Sequence, residues 1–137
     1  MTPSFIASLL ESRIFGVFAR IVFTFVFWSA GLAKAIDFQA NVAEMTHFGL
    51  NPPAVFAVAT VVTLLVASLL VIFNVAAWLG CGALAVFVAL TIPIAHPFWT
   101  MTGDQGLHEF YVVVEHVTVI GGLMVCAILC HRLKARG

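Results

Sequence analysis

Apolar residues run along this chain in four blocks separated by brief polar punctuation. The first extends from about residue 14 to 36, with Arg20 and Lys34 near its ends. The second, about 54–73, holds no charge, and a short break at Asn74 leads into the third, about 75–95. The fourth, about 110–130, carries a Glu115-His116 pair inside the run VVVEHVTVIGG. Each block is close to the roughly 20 residues a helix needs to cross the hydrocarbon layer of a bilayer. The pattern predicts an all-α integral membrane protein, a single domain over residues 1–137 whose four spans form an antiparallel bundle. Small residues at Ala59, Thr63 and Ala67, at Gly80, Gly82 and Ala83, and at Gly121 and Gly122 suit the close backbone approach such a bundle uses in lipid.

The polar segments between the blocks have their own grammar. In DFQANVAEMTHFGLNPP, Asp37 reads as an N-cap, Gly49 as the residue just past a helix, and Pro52-Pro53 as a stop. Phe38, Val42, Met45 and Phe48 recur near a 3.6-residue period and leave Glu44 on another face. A short amphipathic helix lying along the membrane interface between spans one and two is expected, with a packed loop as the alternative. The segment GLAKAID contains an A-x-A-like site, but the apolar stretch before it, about 20 residues, exceeds the usual core of a cleaved signal, so it reads as a retained span. Arg13, Arg20, Arg132, Lys134 and Arg136 fall on the side of the termini, and Lys34 alone falls on the other. That bias predicts cytoplasmic N- and C-termini.

Composition sharpens the same picture. The 137 residues are 63% hydrophobic and only 9% charged, against roughly 25% charged in soluble domains. Net charge is zero and basic residues cluster only in HRLKAR, so nucleic-acid binding has no electrostatic footprint. Cys81, Cys126 and Cys130 sit in apolar runs without metal-ligand or paired spacing, which reads as buried thiols rather than a disulfide framework or structural zinc.

The candidate chemistry lies at the outer end. Glu115 falls about 7–8 Å below the interface by helical rise, too deep for simple solvation, so it is either protonated or paired. Lys34 approaches the same depth from span one. His96, Asp104, His108, Glu109 and His116 belong to the same end, and Phe98 and Trp99 stand beside it in HPFW. Converging polar groups suit a binding pocket or proton path. The competing readings are a structural Lys34–Glu115 pair that fixes helix register, an end-capping His96, and an interfacial aromatic belt of Trp28 and Trp99. No HxxH, ExxH or HExxH spacing supports a metal site, and none is expected.

The order of FWSAGLAKAIDF, HFGLNPP, AHPFWTMTGD and VTVIGGL, over about residues 16–130, resembles the DoxX family of small four-helix bacterial inner-membrane proteins. The resemblance implies a multi-pass plasma-membrane protein associated with quinone-linked oxidoreductases or membrane thiol-redox complexes. It also marks departures. Family members commonly carry a glutamate where this chain has Leu64, an arginine near Trp78, and a lysine-asparagine pair where it has Glu115-His116. The expected consequence is a rewired ion pair, with Glu115 held by Lys34 of span one.

Two functions follow as expectations. In the first, the protein binds a quinone or quinol, or docks an oxidoreductase partner. Glu115 and His116 accept protons, His96 donates to a ring oxygen, and Trp99 or Phe98 contacts the ring. The chain carries no flavin, haem or iron–sulfur motif, so no intrinsic cofactor is expected and electrons come from a membrane oxidoreductase or thiol-redox partner. In the second, it is a non-enzymatic assembly or integrity factor, a role compatible with homo-oligomers. A transporter is disfavoured by the chargeless second span and the lack of an inverted repeat.

Overall fold

The computed structural model describes residues 2–135, so Arg136, counted above in the charge bias, lies outside the described residues. The chain forms α1 (Ser4–Glu11), α2 (Arg13–Phe23), α3 (Phe25–Ile36), α4 (Phe38–His47), α5 (Pro53–Ile72) and α6 (Ala77–Ala95), then a 3-10 turn (Phe98–Thr100) and α7 (Gly103–Ala135). It is all-α, with no strand among the described residues. Three helical stretches, Pro53–Ile72, Ala77–Thr100 and Gly103–Lys134, are long and apolar enough to cross a membrane. The pair α2 and α3 counts as a fourth if its two halves make one span. Blocks two and three match α5 and α6 within two residues at either end.

The first block departs from expectation, because its two halves meet at Thr24 with a bend of 54°. No proline or glycine stands there. The fully buried Thr24 turns its hydroxyl back to the Arg20 carbonyl at 2.7 Å, a bond known to bend helices. The Ile21 carbonyl accepts from the Trp28 indole N–H at 3.2 Å. The Arg20 carbonyl also keeps its bond from the Thr24 N–H at 3.0 Å, so the hydroxyl adds a second donor at the bend. Trp28 therefore serves this bend. The helix α1 precedes the first block and was not expected, and Ser12 caps α2 by accepting from the Phe15 N–H at 3.4 Å.

α7 begins at Gly103 rather than near Phe110. A Cβ on Gly106 would meet the Met101 carbonyl oxygen at 2.8 Å, so the bare glycine lets the preceding connection fold onto the first turn. Asp104 in that turn suits the positive end of the helix dipole. The run GDQGLHEF reads as a loop by composition, yet it is helical because this packing overrides propensity.

Packing follows chain order: α3 lies against α5, α5 against α6, and α6 against α7. Among the described residues the backbones of the first span and α7 do not approach as closely as those of the other neighbouring helices. Phe23 does reach α7, where a Cβ on Gly122 would meet its ring at 2.8 Å. Gly82 and Gly121 face open space. Both termini and the turn at 73–76 share one end, hereafter the terminal end; connections 48–52 and 96–102 share the loop end. Towards the terminal end lies the core of Phe27, Leu64, Ala67, Val71, Cys81, Leu84, Val88 and Leu123. There α6 closes on α5 so tightly that a Cβ on Gly80 would stand 2.7 Å from the Ala67 carbonyl oxygen. Asn74 in the left-handed region (φ 54°) ends α5, and the Val75 N–H donates to the Leu70 carbonyl at 3.0 Å. Arg20 completes that end by donating from Nε to the Ile72 carbonyl at 2.9 Å, a cation at a helix C-terminus.

α4 has the termini expected of it. Asp37 accepts from the Ala40 N–H at 3.1 Å. Gly49 adopts φ 72°, with the Leu50 N–H bonded to the Met45 carbonyl. Met45 is buried, and Phe38, Val42 and Phe48 are partly buried. The centre of the packed face is the polar Asn41, 2% exposed, whose Nδ2 donates to the Ala57 carbonyl at 3.1 Å and so pins α4 to α5.

Candidate functional site: a cavity at the loop end

Where the terminal half is packed, the loop half holds a cavity of about 660 Å³, open on one side, between α3, α5, α6 and α7, with α4 across its outer end. Its walls are mostly apolar: Phe27 and Ala30 from α3, Leu64 from α5, Phe87 and Val88 from α6, and Val119 from α7. Ala59 and Thr63, two of the small residues expected to tighten helix packing, instead widen this space. Five ionisable side chains line it, Lys34, Glu44, His96, Glu115 and His116. An apolar chamber with a few convergent polar groups is the usual form of a small-molecule site.

The ionisable groups divide into two sets. Lys34, from the last turn of α3, forms an ion pair with Glu44 of α4. This corrects two expectations. Lys34 is paired with Glu44 and not with Glu115, and Glu44 faces the cavity instead of standing apart on another face of α4. The reason is local. Asp37 caps α4 immediately after α3 ends, so the chain reverses and brings position 44 back beside position 34. Glu115 is exposed and makes no salt bridge among the described residues.

The second set joins α6 to α7. His96 Nδ1 lies 2.6 Å from Glu109 Oε2, and the His96 and His116 rings meet edge to face at a centroid separation of 4.9 Å. His116 Nδ1 lies 2.8 Å from the Val112 carbonyl. A carbonyl only accepts, so Nδ1 carries the proton and Nε2 of a neutral His116 is left as the basic nitrogen. An ionised Glu109 imposes the same tautomer on His96. The arrangement is a short polar file from cavity to loop end: His116, His96, Glu109. Its two imidazoles meet through ring contact, while the hydrogen bonds run from His96 to Glu109 and from His116 to the Val112 carbonyl.

The sequence brought Lys34, His96, Glu115 and His116 to one end, and all four line the cavity. Phe98 and Trp99 lie outside its lining. Phe98 stacks edge to face on Trp99 and on Phe110, both with centroids at 5.3 Å, and Trp99 is exposed. Glu109 belongs to the end the sequence assigned it, but its pairing with His96 was not expected, nor was that of Glu44 with Lys34. For Glu109 a signal exists: it stands seven residues, two helical turns, before His116, so both share one face of α7.

A DoxX family model matches residues 16–97. The matched region ends just past His96, so it contains Lys34, Glu44 and His96 while the α7 groups fall beyond it. Neither a curated protein nor a solved structure matches the chain. With more than half of its residues under that match and a helical, membrane-compatible fold, the chain belongs to the DoxX family.

Proposed function

We propose that this protein is a redox-associated subunit of the bacterial plasma membrane whose cavity binds a quinone or quinol. The observation that carries the reading is the apolar chamber closed at one end by His96, His116, Glu115 and the Lys34–Glu44 pair. A quinone head is polar at two oxygens and apolar elsewhere, and its tail needs a lipid-like wall. The free Nε2 of His116 suits a quinol proton, with His96 and Glu109 as the way out. Electrons pass to or from a partner oxidoreductase. The open side of the cavity gives a lipid-dissolved ligand a sideways entry. In this reading the array is an antiparallel set of four spans, α4 lies along the outer interface, and the loop end faces outward, as the charge bias favours. Native mass spectrometry of protein purified from its own membrane is expected to find a bound quinone, and added quinone to raise Tm. Protein that carries no quinone and keeps its Tm when quinone is added rejects the proposal.

A second reading, a non-enzymatic assembly factor, draws on Gly82 and Gly121, which present bare backbone outward. It expects reproducible membrane partners in a crosslinking pulldown. Their absence counts against it.

A further inference from the structure

A second pocket, of about 410 Å³, lies at the terminal end, away from the cavity. It sits between the turn at 73–76, the start of α6 and the last turns of α7. Its level in the membrane follows from helix length. α5 has 20 residues and α6 has 19, so each is about 30 Å long at the helical rise. That length matches the hydrocarbon layer. The turn that joins the two helices therefore stands at the boundary where lipid phosphates lie.

The side chains suit that level. Val75 and Trp78 line the pocket and are 58% and 67% exposed, an apolar flank beside an indole of the kind found at membrane interfaces. Lys134 and His131 line it from α7, three residues apart and so on one face. Both are exposed, and neither makes a salt bridge among the described residues. No carboxylate lines the pocket among the described residues. The quinone reading uses none of these groups.

We propose that this pocket binds the headgroup of an anionic phospholipid of the phosphatidylglycerol type, drawn from the leaflet at the terminal end. Basic pockets between membrane helices suit such headgroups. The phosphate takes the Lys134 ammonium and an N–H of His131, and the Asn74 amide in the same lining offers donors to the rest of the headgroup. The acyl chains run back into the bilayer along Val75 and Trp78. The start of α6, which no side chain caps, brings the positive end of its dipole to the same place and adds to the α7 cations. A zwitterionic phosphatidylethanolamine fits less well, because its ammonium meets Lys134 and finds no carboxylate in the lining. A lipid so held bridges the α5–α6 turn to α7, so its binding stabilises the folded protein.

The test is native mass spectrometry of the full-length protein released from nanodiscs of equal phosphatidylglycerol and phosphatidylethanolamine. Wild type is expected to retain phosphatidylglycerol over phosphatidylethanolamine by at least about fivefold, the factor that one basic residue contributes near an anionic lipid. Lys134→Ala should lower that ratio about fivefold, and Lys134→Arg should keep most of it. Arg132→Ala removes the same charge from outside the pocket and should keep the ratio within about twofold, since exposed charges farther off are screened. In detergent, added phosphatidylglycerol should raise the Tm of wild type more than that of Lys134→Ala, while their lipid-free Tm values agree. Equal retention of the two lipids in wild type overturns the proposal. So do equal losses in Lys134→Ala and Arg132→Ala, which mean a diffuse basic surface. Displacement of the lipid by an equal concentration of glycerol phosphate, the headgroup without its chains, assigns the pocket to a soluble anion and overturns it as well. Quinone retention is read separately and stands or falls independently.

Discussion

The terminal half and the loop half of this molecule are built from the same helices and the same apolar alphabet, yet one is packed and the other hollow. In the terminal half, Leu84 and Val71 are fully buried, Gly80 lets α6 touch the α5 backbone, and Arg20 closes the end of α5. In the loop half, Ala59, Thr60, Thr63 and Thr91 face a chamber instead of a partner helix. Within lipid, burial from water does not hold helices together; close van der Waals contact does. The hollow half therefore forgoes stabilising contacts, and the packed half and the α4 pin carry the fold. The open space of about 660 Å³ beside five ionisable groups is where the two halves differ most.

The contrast is most easily broken by substitution on either side. Leu84→Ala should cost about 2–5 kcal/mol, the range for emptying a well-packed site that cannot collapse. Leu90→Ala, at a cavity-lining residue 55% exposed, should cost well under about 1 kcal/mol because surface positions lack such contacts. Thermal unfolding in detergent separates the two, and equal losses would mean that the halves are packed alike. Gly80→Ala comes next. Its Cβ meets a backbone carbonyl rather than a movable side chain, so α5 and α6 must part, at about 1–3 kcal/mol by the usual cost of overpacking. Arg20→Ala removes a charged donor from the Ile72 carbonyl and should cost about 1.5 kcal/mol, with partial rescue by Lys.

Which of these features the sequence discloses depends on the range of the interaction that makes them. Spans α5 and α6 are legible because hydropathy alone sets them, and α4 is legible because Asp37 and Gly49 are local signals acting within one turn. The bend at Thr24 is not legible. It rests on one hydroxyl and one indole satisfying carbonyls, in a sequence without a breaker. The early start of α7 is hidden for a similar reason, since Gly106 is a close-approach residue only once the connection lies over it. At the site, sequence placed Lys34, His96, Glu115 and His116 at one end but gave Lys34 to Glu115 instead of Glu44. Depth along a span says which groups are level; it does not say which face each presents. Lys34 meets Glu44 because the chain turns at Asp37 and lays α4 beside the last turn of α3.

The smallest expected effects test the loop half itself. A double-mutant cycle of Lys34→Ala and Glu44→Ala should return a coupling of no more than about 1 kcal/mol, because partly solvated pairs earn little, with the Glu44 side chain 41% exposed. The cycle of Lys34→Ala with Glu115→Gln should be additive, since the two groups share no bond. A coupling there comparable with the first cycle would restore the span-one to span-four pair and refute the geometry described above. Glu115→Gln alone should change stability by less than about 0.5 kcal/mol, as expected of an exposed carboxylate without an ionic partner. If the chamber binds quinone through this end, the same variant should lose part of the quinone-induced rise in Tm while its unliganded Tm stays at the wild-type value. His116→Phe should lose more of it, because the ring remains but the basic nitrogen that faces the ligand does not. A Glu115→Gln protein that is destabilised without ligand would instead place Glu115 in the frame that holds the helices, and would move the packed half of the molecule one turn nearer the loop end.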